Sequence, residues 1–88
     1  MLKPIYTKRF LKDLDLAEKR NKKIEKLTAV IRLLSEEKTL DRKYKDHSLQ
    51  GNYKDCRECH IEPDWLLIYQ EAKTELILLR TGSHSDLF

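Results

Sequence analysis

The sequence predicts an α+β domain of order β-α-α-β-β-β, in which a helix hairpin packs on one face of a small antiparallel sheet. Apolar residues recur at three- to four-residue spacing through the first part of the chain, whereas the second half contains short apolar runs separated by turn signals. The length of 88 residues suffices for one modest core. We therefore expect residues 1–88 to form a single domain.

The N-terminal part predicts one strand and two helices. Residues 2–6 (LKPIY) favour a short first strand, and Thr7 is a suitable N-cap for a helix that runs to about Arg20. Asn21 predicts the turn before a second helix, which should end near Glu37. The apolar stripes comprise Phe10, Leu11, Leu14 and Ala17 in the first helix and Ile24, Leu27, Val30, Ile31 and Leu34 in the second.

The C-terminal part predicts strands joined by turns. Residues 39–46 are polar and indicate a loop, and Gly-Asn at 51–52 is a turn signal. The apolar runs at 64–70 and 74–81 predict a hairpin. Because these runs are apolar on both faces, they fit central positions covered by the helices. The last seven residues, 82–88, have the composition of an exposed tail.

Composition excludes a membrane-spanning protein. Hydrophobic residues make up 40% of the chain and charged residues 38%. No apolar run approaches the ~20 residues that a bilayer-spanning helix needs. A charged residue occurs within the first three positions, and the N-terminal segment lacks the apolar core of a signal peptide. We therefore expect a cytoplasmic protein without a membrane partner.

Positive charge is concentrated at the N-terminal end. Residues 1–26 hold nine Lys or Arg against four acidic residues, and residues 27–88 hold nine against eleven. A basic surface of this kind can face a polyanion such as RNA, or it can be the solvated face of a lysine-rich helix hairpin. Charge alone favours the solvated face.

The side chains that carry chemistry lie in the C-terminal half. There is no nucleophile motif, Gly-rich phosphate loop or paired-carboxylate signature. Imidazoles, a carboxylate, a guanidinium and aromatic rings suit metal-free RNA cleavage by general acid and base, although histidines at this frequency are often structural. The candidates are His47, His60, His84, Asp64, Trp65, Arg80 and Phe88.

Residues 56–60, CRECH, match the C-x-x-C-H pattern of haem attachment and also suggest zinc. Strand alternation argues against both, because it separates the two cysteines onto opposite faces. One C-x-x-C pair without a second is a weak zinc signal, and the chain has no methionine beyond Met1 to ligate haem iron. The alternation groups Cys56, Glu58 and His60 on one face and Arg57, Cys59 and Ile61 on the other.

Three motif blocks make the chain resemble the YafQ group of bacterial toxins in the RelE/ParE superfamily. The blocks are His-x-Leu-x-Gly from residue 47, Cys-His-Ile-x-Pro-Asp-Trp at 59–65, and Arg-Thr-Gly-Ser-His-Ser-Asp-Leu-Phe at 80–88. The resemblance covers essentially the whole chain and implies a RelE-like fold. It also implies a type II toxin that cuts mRNA in the ribosomal A site, without metal or cofactor, and is restrained by a cognate antitoxin.

The resemblance also assigns residues. It implies catalytic roles for His47, His60, Asp64 and His84. We expect His84 to be the general acid, His60 and Asp64 to act on the base side, and His47 to orient or contact phosphate. RNA contacts are implied for Trp65, Arg80 and Phe88, and the basic helix surface adds Lys8, Arg9 and Lys12, which can contact ribosomal RNA.

Three alternatives stay open. A ParE-like toxin with the same fold would act on DNA gyrase, but it is not expected to carry this histidine set. A zinc or haem module would use Cys56, Cys59 and His60, with His47 or His84 as a further candidate ligand for zinc. A relative that has lost activity would only bind its antitoxin. The toxin is expected to contact no DNA directly, except through the antitoxin complex.

Overall fold

A computed structural model describes the backbone of residues 1–88 and every side chain except that of Asn52. Five strands and three helices make up the regular structure. The strands are β1 (Lys3–Tyr6), β2 (His47–Ser48), β3 (Arg57–Glu62), β4 (Trp65–Glu71) and β5 (Glu75–Gly82), and the helices are α1 (Lys8–Lys19), α2 (Ile24–Ser35) and α3 (His84–Leu87).

The strands form one sheet in the order β1-β5-β4-β3-β2. The three contacts among β2, β3, β4 and β5 are antiparallel, whereas β1 pairs with β5 in parallel. The predicted α+β class is therefore confirmed, with one parallel edge added to the antiparallel sheet. A parallel pair requires a long crossover, and everything between Tyr6 and Glu75 supplies it here.

Local side-chain contacts set the helix ends. The hydroxyl of Thr7 accepts the backbone N–H of Phe10 at 3.1 Å, which confirms the predicted N-cap of α1. Asn21 adopts a left-handed φ of 61°, which confirms the predicted turn. The second helix ends at Ser35, two residues before the predicted end, because Glu37 has a left-handed φ of 60°.

Apolar side chains fill both faces of the sheet. The larger cluster lies between the sheet and the helix hairpin and includes Phe10, Leu27, Trp65 and Leu78. A smaller cluster on the opposite face contains Cys56, Leu66, Ile68 and Leu87. The predicted apolar character of β4 on both faces is correct, but the helix hairpin covers only one of them.

Residues 84–87 of the predicted tail form the helix α3, in which His84 and Ser85 are exposed as expected but Leu87 is buried. Ser83 caps this helix in a capping box with Asp86, and Leu87 is buried against the second face of the sheet. The hydroxyl of Ser83 accepts the backbone N–H of Asp86 at 3.2 Å, and the Asp86 carboxylate accepts the Ser83 N–H at 2.9 Å. These bonds give a four-residue segment a fixed position.

The two cysteines lie on opposite faces of the sheet, as the alternation predicts. Cys59 belongs to the larger cluster and Cys56 to the smaller one, and both thiols are free. Burial raises the pKa of Cys59 to about 12, so the thiolate that a metal or a redox partner requires is disfavoured. Within the described part of the chain, no helix is long and apolar enough to cross a membrane.

Candidate functional site

Three imidazoles lie next to one another along one side of the sheet. His47 comes from β2, His60 from β3 and His84 from the start of α3. The ring centroids of His47 and His60 are 6.4 Å apart, and those of His60 and His84 are 5.7 Å apart. The structure thus brings together three side chains that are up to 37 positions apart in sequence.

Strand pairing positions the first two rings. His47 lies opposite Glu58 in the β2–β3 register, and His60 follows Glu58 by two positions on the same face. The segment before His47 is tied to the sheet through Asp46, whose Oδ1 accepts hydrogen bonds from the Tyr69 hydroxyl at 2.6 Å and from Arg57 Nε at 3.3 Å. This anchoring gives the two-residue β2 a defined position.

Asp64 pairs with His84. Its Oδ1 lies 2.7 Å from His84 Nδ1 and accepts the His84 backbone N–H at 2.9 Å. These bonds lower the pKa of Asp64, the backbone hydrogen bond contributing most. The ionised carboxylate only accepts, so Nδ1 of His84 carries the hydrogen and Nε2 faces away from Asp64.

Asp64 therefore contacts His84 and not His60, with which the sequence analysis grouped it. Asp64 lies in the turn between β3 and β4, where its side chain reaches α3. A carboxylate in this position orients an imidazole and stabilises its protonated form. Asp64 thus contacts the ring that is expected to be the general acid.

Glu58 contacts the other two rings. Its Oε1 lies 3.5 Å from His47 Nε2 and 3.4 Å from His60 Nε2, and its side chain is buried. Sequence reasoning placed Glu58 and His60 on one face but gave Glu58 no role. The sequence feature that could have identified Glu58 is a carboxylate two positions before a candidate histidine in a predicted strand.

Trp65, for which an RNA contact is predicted, is buried in this structure. The side chain is only 1% exposed and belongs to the core beneath the helices. Its Nε1 donates a hydrogen bond to the Thr81 hydroxyl at 2.9 Å, which in turn donates to the Leu66 carbonyl at 2.7 Å. The ring is therefore covered in this structure, and Lys22 Nζ lies 5.8 Å from its centroid at the cleft that Trp65 helps to line.

The guanidinium of Arg80 is bound by a helix carboxylate. Arg80 Nε donates to Asp13 Oδ2 at 2.7 Å and its Nη2 to Asp13 Oδ1 at 3.2 Å, and the side chain is 15% exposed. Asp13 also accepts the Thr81 backbone N–H at 3.2 Å. A phosphate that reaches Arg80 must share it with Asp13, so Arg80 offers less free charge than the sequence predicts.

Two aromatic rings lie beside the smaller cluster at the C-terminus. Phe88 is 64% exposed and packs edge-on against Tyr53, with ring centroids 5.7 Å apart. Exposed aromatic rings are suited to stacking on splayed bases. Tyr53 was not predicted from the sequence, because it lies in a short polar segment without strand or helix periodicity.

The predicted basic residues Lys8, Arg9 and Lys12 are exposed on α1. Arg9 also lines a cleft of about 390 Å³ between α1 and the C-terminal segment. Lys22 and Asp64 lie on the rim of the same cleft, which places it next to the Asp64–His84 pair. Positive charge from α1 therefore extends to the candidate site.

Asp86 connects α3 to α1. Its carboxylate accepts hydrogen bonds from Arg20 at 2.7 and 3.3 Å in addition to the bond from Ser83. A Cβ at Gly82 would lie 3.0 Å from the Asp86 side chain, so glycine permits this close approach. These contacts hold the helix that carries His84.

Asp86 is expected to make the stability of the domain depend on pH in the acidic range. Arg20 and the Ser83 N–H lower the pKa of Asp86 from its ordinary 3.8 to about 2. Because the folded pKa lies below the unfolded one, the stabilisation is present above about pH 4 and is lost as pH falls towards 2. At pH 6, Asp86→Asn should lower the free energy of unfolding by roughly 0.5–1.5 kcal/mol, the net contribution of a typical hydrogen bond, because the neutral amide loses the ion pair with Arg20.

Urea unfolding of wild type and Asp86→Asn between pH 2 and 6 tests this prediction. The difference between the two should shrink as the pH approaches 2. Asp15→Asn is the matched control, because Asp15 forms an exposed pair with Lys19 and should change stability little at any pH. A difference between wild type and Asp86→Asn that stays constant across the range would contradict it.

Among the residues with described side chains, no three His, Cys, Asp or Glu groups are arranged to hold a metal ion. The imidazoles instead pair with carboxylates, His84 with Asp64, and His47 and His60 with Glu58. Paired imidazoles and carboxylates of this kind can orient protons for acid–base chemistry.

Comparison with known proteins identifies relatives of this architecture. The chain is 44% identical over 84 residues to the mRNA interferase toxin YafQ of Escherichia coli K12, covering 94% of this chain and 91% of the relative. The E. coli DinJ–YafQ toxin–antitoxin complex contains a chain with a TM-score of 0.91 and 42% identity, with 99% of this chain and 97% of that chain covered. A copper-bound mutant toxin from Helicobacter pylori gives a TM-score of 0.95 at 45% identity, with full coverage of both chains.

The helix hairpin on a mostly antiparallel five-stranded sheet, with the histidines at its side, defines a toxin domain of the RelE-like class. Residues 2–88 match the family described as the bacterial toxin of type II toxin–antitoxin systems, YafQ. The chain belongs to the YafQ family. The resemblance stated from the motif blocks is thereby confirmed.

Proposed function

We propose that the chain is an mRNA interferase that cleaves messages on the ribosome by metal-independent acid–base catalysis. The observation that carries the proposal is the row of three imidazoles, in which His84 pairs with Asp64 while His47 and His60 both lie beside Glu58. The identity to relatives named mRNA interferase supports the substrate class.

His60 and His84, whose rings are the closest pair of the three, carry out the two proton transfers. His60 takes the proton of the 2′-hydroxyl, and the 2′-oxygen attacks the adjacent phosphorus. His84 Nε2 donates a proton to the departing 5′-oxygen as the P–O5′ bond breaks. The products are a 2′,3′-cyclic phosphate and a 5′-hydroxyl end. His47 and Arg80 provide positive charge near the phosphorane, and Arg80 does so while bound to Asp13.

Binding of RNA uses the surface around this row. Phe88 and Tyr53 offer stacking surface for a base, and Lys8, Arg9 and Lys12 face ribosomal RNA. A cognate antitoxin is the second partner, in line with the DinJ–YafQ complex of the E. coli relative. The antitoxin would act by covering or distorting the row of histidines.

Cleavage of translated mRNA is the direct test. Purified chain is added to ribosomes stalled on a defined message, and the new 5′ ends are mapped by primer extension, with naked mRNA in a parallel reaction. We expect cuts only on the ribosome-bound message, and the new ends should carry 5′-hydroxyl groups. Intact messages together with inhibition of DNA gyrase would instead support the ParE-like alternative.

Cleavage is expected to proceed at an unchanged rate after the toxin has been stripped of transition metals, because the imidazoles supply both the acid and the base. The copper-bound state of the Helicobacter pylori relative makes this measurement informative. The toxin is treated with EDTA and dialysed before it is added to ribosomes in Mg²⁺ buffer, because the ribosomes themselves need Mg²⁺, and Zn²⁺ or Cu²⁺ is then added back. Activity that is lost with the chelator and restored by either ion would contradict metal independence.

A further inference from the structure

A groove of about 320 Å³ lies beside His60, and the mechanism above gives it no role. The groove runs between residues 43–45 and residues 60–63, and we call it the edge groove. Strand β2 is two residues long and pairs with only the first part of β3. Beyond that pairing, residues 42–44 contact β3 instead. The edge groove therefore lies on the side of β3 that faces away from β4.

Two lysines give the edge groove positive charge. Lys43 and Lys45 both line it, and neither ammonium group forms an ion pair with any of the described carboxylates. The acidic residue among those that line the groove is Glu62, which already pairs with Lys22 at 3.7 Å and with Lys26 at 3.0 Å. Positive charge thus remains available for a phosphate beside a candidate catalytic ring.

Hydrogen bonds fix the backbone that carries these lysines. Asp41 Oδ1 accepts the Lys43 N–H at 3.0 Å, and the Lys45 N–H donates to the Arg42 carbonyl at 3.0 Å. Lys45 adopts a left-handed φ of 47°, which is uncommon for a residue other than glycine, asparagine or aspartate. The Lys45 carbonyl oxygen lies 2.6 Å from Nδ1 of His47. The segment therefore has a defined position beside the row of histidines.

The direction of an RNA strand across the site follows from the roles of two histidines. In the proposed reaction, the ribose upstream of the cut lies at His60 and the leaving 5′-oxygen lies at His84. Because the attacking and leaving oxygens are roughly in line through phosphorus, the two parts of the message extend in opposite directions. His84 follows β5, which is separated from β3 by β4, whereas the edge groove opens on the other side of β3.

We propose that the edge groove binds the backbone of the message on the 5′ side of the cut. Lys43 and Lys45 bind the phosphate that precedes the upstream nucleotide. This assignment rests on the proposed function, since the roles of His60 and His84 determine the direction of the strand. The downstream nucleotide then lies on the side of α3, where Phe88 is exposed.

Affinity for a message that cannot be cut tests the site without cleavage. Ribosomes are stalled on a message with 2′-deoxyribose at the cut position, which removes the attacking hydroxyl, and binding of fluorescently labelled toxin is measured by anisotropy. Lys43→Gln and Lys45→Gln should each weaken binding about two- to fivefold, the effect of losing an exposed ion pair. Lys73→Gln is the matched control, because Lys73 is exposed in the turn between β4 and β5, at the far end of β4 from His60.

A neutral methylphosphonate in the message identifies the phosphate that Lys45 binds. At the phosphate that precedes the upstream nucleotide, it should weaken binding of wild type as much as Lys45→Gln does, and it should not weaken Lys45→Gln further. At the phosphate that follows the downstream nucleotide, it should leave the full difference between wild type and Lys45→Gln.

Additive losses from Lys45→Gln and the upstream methylphosphonate would overturn the proposal. Coupling of Lys45 to the downstream phosphate would also overturn it, because the strand would then run in the opposite direction. Wild-type affinity in both lysine variants, or absence of binding by wild type, would have the same consequence. The proposed function is tested separately with ribose at the cut position. Coupling of Lys45 to the upstream phosphate in a toxin that leaves this message intact would support the binding site and refute the proposed cleavage.

Discussion

Replacing His84 by glutamine is expected to slow mRNA cleavage about 10²- to 10⁴-fold, the usual contribution of a general acid. Glutamine retains polar bulk but cannot transfer a proton to the leaving oxygen. The fold should be preserved, because the His84 side chain is 56% exposed and the cap of α3 depends on Ser83 and Asp86. Single-turnover cleavage of ribosome-bound message measures the rate, and thermal unfolding checks the fold.

A modified substrate separates an acid role from a binding role for His84. In RNA with sulfur in place of the bridging 5′-oxygen, the leaving group needs no proton. His84→Gln should therefore cut this substrate almost as fast as wild type does. Ser85→Ala, an exposed neighbour on the same helix, should behave like wild type on both substrates. An equal defect of His84→Gln on both substrates would exclude His84 as the acid.

Local patterns were sufficient to predict most of the fold. The apolar stripes of α1 and α2 and the runs of β4 and β5 are long enough for periodicity to distinguish helix from strand. Helix α3 was not predicted, because its four residues span little more than one turn and show no helical periodicity. Its position depends on Arg20, which bonds Asp86 across 66 positions of sequence. A contact between residues so far apart in sequence cannot be predicted from local composition.

The candidate site was predictable in its residue types but not in its pairings. The motif blocks named the three histidines, and strand alternation placed Glu58 beside His60. Which carboxylate contacts which ring depends on the turn before β4 and on α3, and for that reason the sequence did not pair Asp64 with His84. Arg80 likewise bonds Asp13, 67 positions away. Pairings between distant segments require the assembled fold.

Trp65→Ala is expected to destabilise the domain by about 3–5 kcal/mol, because it removes a large ring from a filled core. That loss is a large share of the roughly 5–15 kcal/mol by which small domains are stable. The substitution also removes the donor to the Thr81 hydroxyl, which is itself buried. Denaturant unfolding should show a much lower midpoint, and any cleavage defect should follow the fraction of unfolded protein.

Phe88→Ala provides the contrast that assigns Trp65 to the core. Phe88 is exposed, so its truncation should change stability little, whereas loss of base stacking, worth about 1–3 kcal/mol, should weaken RNA binding. Trp65→Phe should retain most of the stability lost in Trp65→Ala and cleave nearly as wild type, because the core stays largely filled. The opposite result would be a Trp65→Ala variant that unfolds at the wild-type midpoint but fails to cleave. In that case the Trp65 ring contacts the substrate, and it does not occupy its core position when RNA binds.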